Sequence, residues 1–317
     1  MDIAVFQPAE RPTVLRVLRS VLAPDEPLQP VHRRFLAAWA RIVGDAAPAL
    51  DPAPVEPGSV HLEGEHARKR LLQLAIMAAL LNRPVAPASA SYLTTLARSL
   101  GVADVGTEVV AALAEGRVSR ARRIAVRRGM RGLIGDAWRA EGLAGVLRYF
   151  AALLLKVPVH RDRLARYKRL GLLPEGTLGR TYWAHMTEVG FNFPGEPGGI
   201  PDTLAYHDVT HVLAGHPATG AGEIQQGCFQ AGSRRQDGFF FVLFVLLQFH
   251  HGIMLTPNSP PETGLFDPDR VLWALHRGAS CPVDVTRSWD FWPLMRLPLA
   301  EARRACGIIP APAASAG

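Results

Sequence analysis

The chain has 317 residues, 48% of them hydrophobic and 20% charged, with a formal net charge of +7. That apolar content supports one large folded domain or two ordinary ones and excludes wholesale disorder. Three widely spaced cysteines, Cys228, Cys281 and Cys306, argue against a disulfide framework and a Cys-x-x-Cys zinc site; they read as small buried residues of a reducing compartment.

From the start, Met1 to Val21 carries Asp2, Glu10 and several arginines and no continuous apolar stretch, so it does not read as a secretory signal. A short helix is expected at about 31–45. A linker follows over 46–60, where Asp51-Pro52-Ala53-Pro54 and Gly58 interrupt any regular element. Helices are expected over Glu65 to Leu81, over Ala88 to Leu100 with Gly101 as terminator, and over Val105 to Ala114 closed by Gly116. These three short helices loosely resemble the TerB-like fold of tellurite-resistance proteins. Ala86-Pro87-Ala88-Ser89 stands where such a domain can carry acidic metal-binding residues.

Between Arg117 and Arg169 stand 15 Lys or Arg against three acids, so the rest of the chain is net acidic. A solvated helix face is the default use of such a belt; anionic lipid, nucleic acid or a phosphorylated ligand are the alternatives. Within it Leu143, Val146, Leu147, Phe150, Leu153 and Leu154 recur at helical spacing. Such a stripe suits core packing, with a membrane-interface helix as the sharper alternative. Further helices are expected at Gly176 to Glu188, Ile200 to Ala214, Thr219 to about His250, Asp267 to Gly278 and Leu299 to Cys306, with a loop over Phe191 to Gly199. The most apolar run, Phe239 to Leu247, is far shorter than the about 20 residues a bilayer core requires. Few stretches alternate with period two, so the expected fold class is all-α, a multi-helix bundle.

The chemistry concentrates in Tyr206 to Gly232. His207 and His211 are four residues apart, so on a helix they lie about 40° apart and one turn along the axis, close enough to chelate one ion. Chance alone would give about 0.4 such pairs in a chain with this many histidines, so the spacing by itself decides little. The following turn adds weight. Gly215 can end the first helix in the left-handed conformation, Pro217 blocks its continuation, and Thr219 can cap the next. His211 then precedes the bend by one turn and Glu223 follows it by one turn. An antiparallel helix pair would bring them face to face, leaving a coordination site open. Asp208 is either a fourth ligand or an acceptor that orients an imidazole. The bland alternative has both histidines hydrogen-bonded in a core and Glu223 near a helix start. A metalloprotease is disfavoured, because Asp208 replaces the general-base Glu of His-Glu-x-x-His. A His-Asp phosphohydrolase needs further ligands that the sequence does not offer.

The run His207-Asp208 to His211-Val212-Leu213-Ala214-Gly215, with Pro217-Ala218-Thr219 and Gly222-Glu223-Ile224, resembles the signature of the ubiquinone-biosynthesis proteins of the Coq-four type. Gly179 to Met186 upstream is similar to that family's Tyr-x-x-Phe-Met region. His276-Arg277-Gly278, Asp284 and Trp289-Asp290 downstream, and Leu297 to Ile308, resemble its later elements, so the likeness covers about residues 160–310. It departs at Thr210, where the family often has an aromatic residue, and in the shortened loop Gly198-Gly199-Ile200-Pro201.

The resemblance implies an all-helical fold, a divalent metal of zinc type on His207, Asp208, His211 and Glu223, and an apolar cavity for an isoprenoid tail. It also implies oxidative decarboxylation of a prenylated hydroxybenzoate ring, with Asp208 and Glu223 as catalytic residues. The alternative is a non-catalytic isoprenoid-lipid-binding scaffold. His185 and Glu188 are candidates for proton traffic, although surface or core placement is the plainer expectation. Expected partners are a prenylated quinone precursor or isoprenoid lipid, a membrane surface touched peripherally, a quinone-biosynthesis complex and a second copy of the chain as a homodimer. Nucleic acid is not expected. The expected setting is the cytoplasm or the inner face of the cytoplasmic membrane of a bacterium. The expected division is 1–60 as a helical segment and linker, 61–130 as a small helical domain, and 131–317 as the metal-bearing domain.

Overall fold

The computed structural model describes residues 1–129, 161–200, 202–256, 259–286 and 289–310. Among these the architecture is all-helical, with no strand beyond two isolated bridges, Thr177 with Pro298 and His251 with Thr263. The expected all-α multi-helix bundle is therefore what the chain forms. The apolar stripe at 143–154, and much of the basic belt, lie outside the described residues.

Contacts between residues divide the chain into two units, each made of two stretches. The first comprises Met1–Arg128 and Glu223–Ala279, the second Gly129–Gly222 and Ser280–Gly317. The sequence segments expected at 1–60 and 61–130 are contiguous, whereas 1–128 here falls into one unit that also takes 223–279. The physical reason lies in the helices α1 (Arg11–Leu22), α2 (Pro30–Ile42) and α3 (Glu65–Leu81). Helix α3 buries every residue from Leu71 to Leu81, and a helix apolar on all sides must be covered all round. Helix α1 supplies part of that cover through Val14, Val17, Leu18 and Val21. The Asn82 side chain donates to the Leu22 carbonyl at 2.7 Å, and the Ser89 hydroxyl donates to Val21 at 2.7 Å.

Helices α4 (Pro87–Leu100), α5 (Val105–Ala114) and α6 (118–129) follow. The ends of α4 and α5 fall where Gly101 and Gly116 were expected to close them, whereas α6 was not expected as a separate helix. Pro87 opens α4, Gly101 closes it in the left-handed region, and the Asp104 carboxylate caps α5 by accepting from Gly106 N–H at 2.9 Å.

The second unit contains α7 (Arg161–Lys168), α8 (Leu178–Val189), α9 (Tyr206–Ala214) and, after the chain returns, α13 (Leu299–Ala305). Leu178 N–H donates to the Leu297 carbonyl at 2.9 Å and Leu299 N–H to Gly176 at 2.8 Å, tying the start of α8 to the segment before α13. Tyr167, Tyr182, Phe193 and Trp292 form its aromatic centre, with ring centroids 4.9–6.2 Å apart in successive pairs. The helix expected over 200–214 is shorter than its span: α9 begins only at Tyr206, after a 3-10 turn at Asp202–Leu204 that the Tyr167 hydroxyl holds through Asp202 at 2.5 Å.

The boundary between the units falls inside α10 (Gly220–Ser233). The long helix expected from Thr219 to about His250 is two, α10 and α11 (Phe239–Phe249). Asp237 takes a left-handed φ of 55°, a conformation that short polar side chains tolerate better than most, and this reverses the chain. Gly238 then sits where any Cβ would stand 2.3 Å from the Ala231 carbonyl oxygen. Helix α12 (Pro268–Ala279) meets α10 with equal closeness. A Cβ on Gly278 would fall 2.0 Å from Phe229 O, and one on Gly232 would fall 2.2 Å from Leu275 O. The three cysteines are buried and none is in a disulfide. No helix among the described residues is long and apolar enough to cross a membrane.

Candidate metal centre

Helix α9 ends as its sequence dictates. Gly215 adopts φ 74° and ψ 31°, and the amides of Gly215 and His216 both donate to the His211 carbonyl, at 2.8 and 3.0 Å. Three residues on, the Thr219 hydroxyl accepts from Gly222 N–H at 3.2 Å and caps the start of α10. The turn between them admits no side chain at Gly222, where a Cβ would lie 1.8 Å from the Pro217 carbonyl oxygen. This close turn is what places Glu223, in the first turn of α10, near the last turn of α9.

The result is a group of three ligand atoms, one each from His207, His211 and Glu223, all within 4.8 Å of one another. His211 is buried; His207 and Glu223 are half-buried. The Nε2 atoms of the two imidazoles are 3.3 Å apart and the rings cross at 74°. That separation has a simple meaning. Two nitrogens each about 2.0–2.1 Å from a tetrahedral ion stand about 3.3–3.4 Å from each other. The pair therefore already has the spacing of one edge of a zinc-type tetrahedron.

The second nitrogen of His211 explains the orientation. Nδ1 lies 3.1 Å from the carbonyl oxygen of His216, an acceptor only, so Nδ1 carries the proton and the Nε2 lone pair faces His207. A carbonyl behind a ligating histidine is the usual means of fixing tautomer and ring direction in metal sites. Two imidazoles so placed can share a proton or a cation. The carboxylate of Glu223 favours the cation, because it adds a third donor and a negative charge.

Asp208, the fourth expected ligand, is buried on α9 at 7% exposure but is not in the converging group. One residue after His207, it is rotated about 100° from it around the helix. There it lies near Tyr182 on α8. The Tyr182 ring is fully buried and its hydroxyl finds no hydrogen-bond partner among the described residues. Burial, with Asp208 and Asp202 adding repulsion, pushes its ionisation far above the ordinary tyrosine range, so it stays a neutral phenol.

His185, one turn beyond Tyr182, stacks on His211 with ring centroids 6.0 Å apart and planes 21° from parallel, while Glu188 is exposed. Arg303 on α13 was not legible as part of the site. Its guanidinium donates to Leu213 O at 2.8 Å and Val212 O at 3.2 Å, satisfying the last carbonyls of the helix that bears both histidines. A cation at that end also suits the helix dipole.

No family model, curated protein or solved structure matches the chain, and nothing in those comparisons identifies it with the ubiquinone-biosynthesis family.

Proposed function

We propose that His207, His211 and Glu223 hold a divalent ion, zinc by donor type, and that the chain acts on the ring of a prenylated hydroxybenzoate or related prenylated substrate. The observation that carries the metal is the Nε2 pair at 3.3 Å, aimed by the His216 carbonyl and joined by one carboxylate. The substrate class is supported by the motif likeness over residues 160–310. An ion held by His207, His211 and Glu223 would supply Lewis acidity toward a ring oxygen.

The chain's own residues do the remaining work. The neutral phenol of Tyr182 is buried beside Asp208 and keeps that flank of α9 dry. Asp208 is a carboxylate on the same helix as the two histidines, placed to take up a proton rather than to ligate. In the net reaction a ring carboxylic acid and water give a phenol, carbon dioxide, two protons and two electrons. Dioxygen is the oxidant proposed, taking those two electrons and two protons to become hydrogen peroxide. The setting proposed is peripheral, at a membrane surface where such lipids reside, with a quinone-biosynthesis complex and a second copy of the chain as partners.

Replacement of Glu223 by Gln tests the reading. Loss of the charge should weaken zinc binding and cause accumulation of the carboxylated precursor, with the protein still folded. If the ion merely fastens α9 to α10 in an isoprenoid-binding scaffold, the same variant will lose thermal stability while precursor conversion continues. Absence of any stoichiometric divalent ion in protein purified from cells grown with zinc, manganese and iron would sink both.

A further inference from the structure

A second site lies far along the chain from the histidines, wholly within residues 60–101. An open cavity of about 310 Å³ is lined by Val60, His61, Leu62, Arg68, Arg98, Ser99, Leu100 and Gly101. Its polar side chains are one-sided in charge: Arg68, Arg98 and His61, and no carboxylate. Among the described residues none of the three makes an ion pair, and neither Arg98 nor His61 makes a side-chain hydrogen bond. Ser99 is committed elsewhere, donating to Pro57 O at 2.8 Å and Leu96 O at 3.0 Å.

Arg68 is the informative residue. Its Nη1 reaches only the Leu62 carbonyl, at 3.4 Å, and its Nε is buried with no partner. A buried guanidinium donor without an acceptor is unfavourable; Arg11 and Arg70 share that state at Nε, and of the three only Arg68 lines this cavity. The edge bearing Nε is also the edge that a carboxylate or phosphate takes in a two-point hydrogen bond. At the nearby end of α4 the Ala97 and Arg98 carbonyls are already occupied by Val102 and Gly101 amides. Around these groups Val60, Leu62 and Leu100 provide an apolar wall.

We infer that this cavity is an oxyanion site that takes a small phosphoryl group between Arg68 and Arg98. Two guanidiniums match the charge of a phosphate better than that of a single carboxylate. A volume of about 310 Å³ admits the phosphate and a short substituent, at the small end of ligand pockets. The site stands apart from the metal-centre reading and does not depend on it.

The test is titration of the full chain with inorganic phosphate, methyl phosphate, acetate, and vesicles containing phosphatidic acid, followed by calorimetry and by arginine side-chain NMR. Saturable binding of phosphate or methyl phosphate is expected, weaker for acetate, with Arg68→Gln and Arg98→Gln each lowering affinity about tenfold or more. Preference for methyl phosphate identifies a soluble phosphate ester as the source; preference for vesicles identifies a lipid headgroup. Arg98 is exposed, so its variant reads the site even if Arg68→Gln misfolds. No saturation with any phosphate, or binding that both variants leave unchanged, overturns the assignment.

Discussion

Among the described residues two histidine pairs lie with their rings about 5 Å apart, one in each unit, and the contrast between them teaches what makes a metal site. His250 and His251 have ring centroids 5.1 Å apart; His207 and His211 have theirs 4.8 Å apart. Distance does not separate them. The partners of their nitrogens do. His250 donates from Nε2 to Leu81 O at 3.1 Å and accepts at Nδ1 from Phe266 N–H at 3.1 Å, and His251 reaches Leu80 O at 2.9 Å. These rings close the last carbonyls of α3 and complete a core. In the other pair the Nε2 atoms face each other at 3.3 Å beside a carboxylate, so three ligand atoms gather within reach of one ion.

The largest effect expected from this contrast is on metal affinity. His211→Ala should reduce zinc affinity beyond about 100-fold, more than the 10–100-fold typical of changes in outer partners. His250→Ala should leave zinc stoichiometry at the wild-type value. Competition with a chromogenic chelator reads both, and equal losses from the two variants would erase the distinction.

Next in size is a pH effect confined to the structural pair. Burial lowers His250 and His251 from 6.5 to about 4, against the opposing pull of their carbonyl hydrogen bonds. Their neutral forms belong to the fold. Their stabilisation is thus complete above 6.5 and is lost as pH falls from 6.5 towards 4, because the unfolded chain takes up protons first. For His250, 5% exposed, this amounts to about 3 kcal/mol. Denaturant midpoints between pH 7 and 4.5 should drop, and a His250→Gln variant should show a shallower slope.

A smaller effect is expected from the turn that brings Glu223 to the histidines. Gly222→Ala forces a Cβ to 1.8 Å from the Pro217 carbonyl oxygen. It should cost about 1–3 kcal/mol of stability by overpacking and weaken zinc binding. Gly58→Ala, where nothing lies within 4 Å, should do neither. Thermal melts with and without zinc check the pair of variants.

The smallest effect should come from Arg303. Arg303→Ala frees the Val212 and Leu213 carbonyls and is expected to cost about 1 kcal/mol. Zinc affinity should fall about tenfold at most, with partial recovery in Arg303→Lys.

The limits of α3, α4 and α5 were legible because Pro87, Gly101 and Gly116 act within a few residues of where they stand. Helix α1 went unread, although Val14, Leu15, Val17, Leu18, Val21 and Leu22 all bury one face. Its three arginines masked the apolar stripe. The break between α10 and α11 was announced by Asp237-Gly238, a turn pair set in a long run of otherwise helix-compatible residues.

The site divides in the same manner. Spacing and turn chemistry put His207, His211 and Glu223 together, since the four-residue step and the Gly215-to-Thr219 reversal are local properties of the chain. Where Asp208 faces, which carbonyl fixes the His211 tautomer, that Tyr182 is sealed beside Asp208, and that Arg303 arrives from 90 residues away to hold the end of α9 were decided only by tertiary packing. A hydrogen bond or a buried phenol depends on which distant surfaces exclude water, and no local pattern of residues records that.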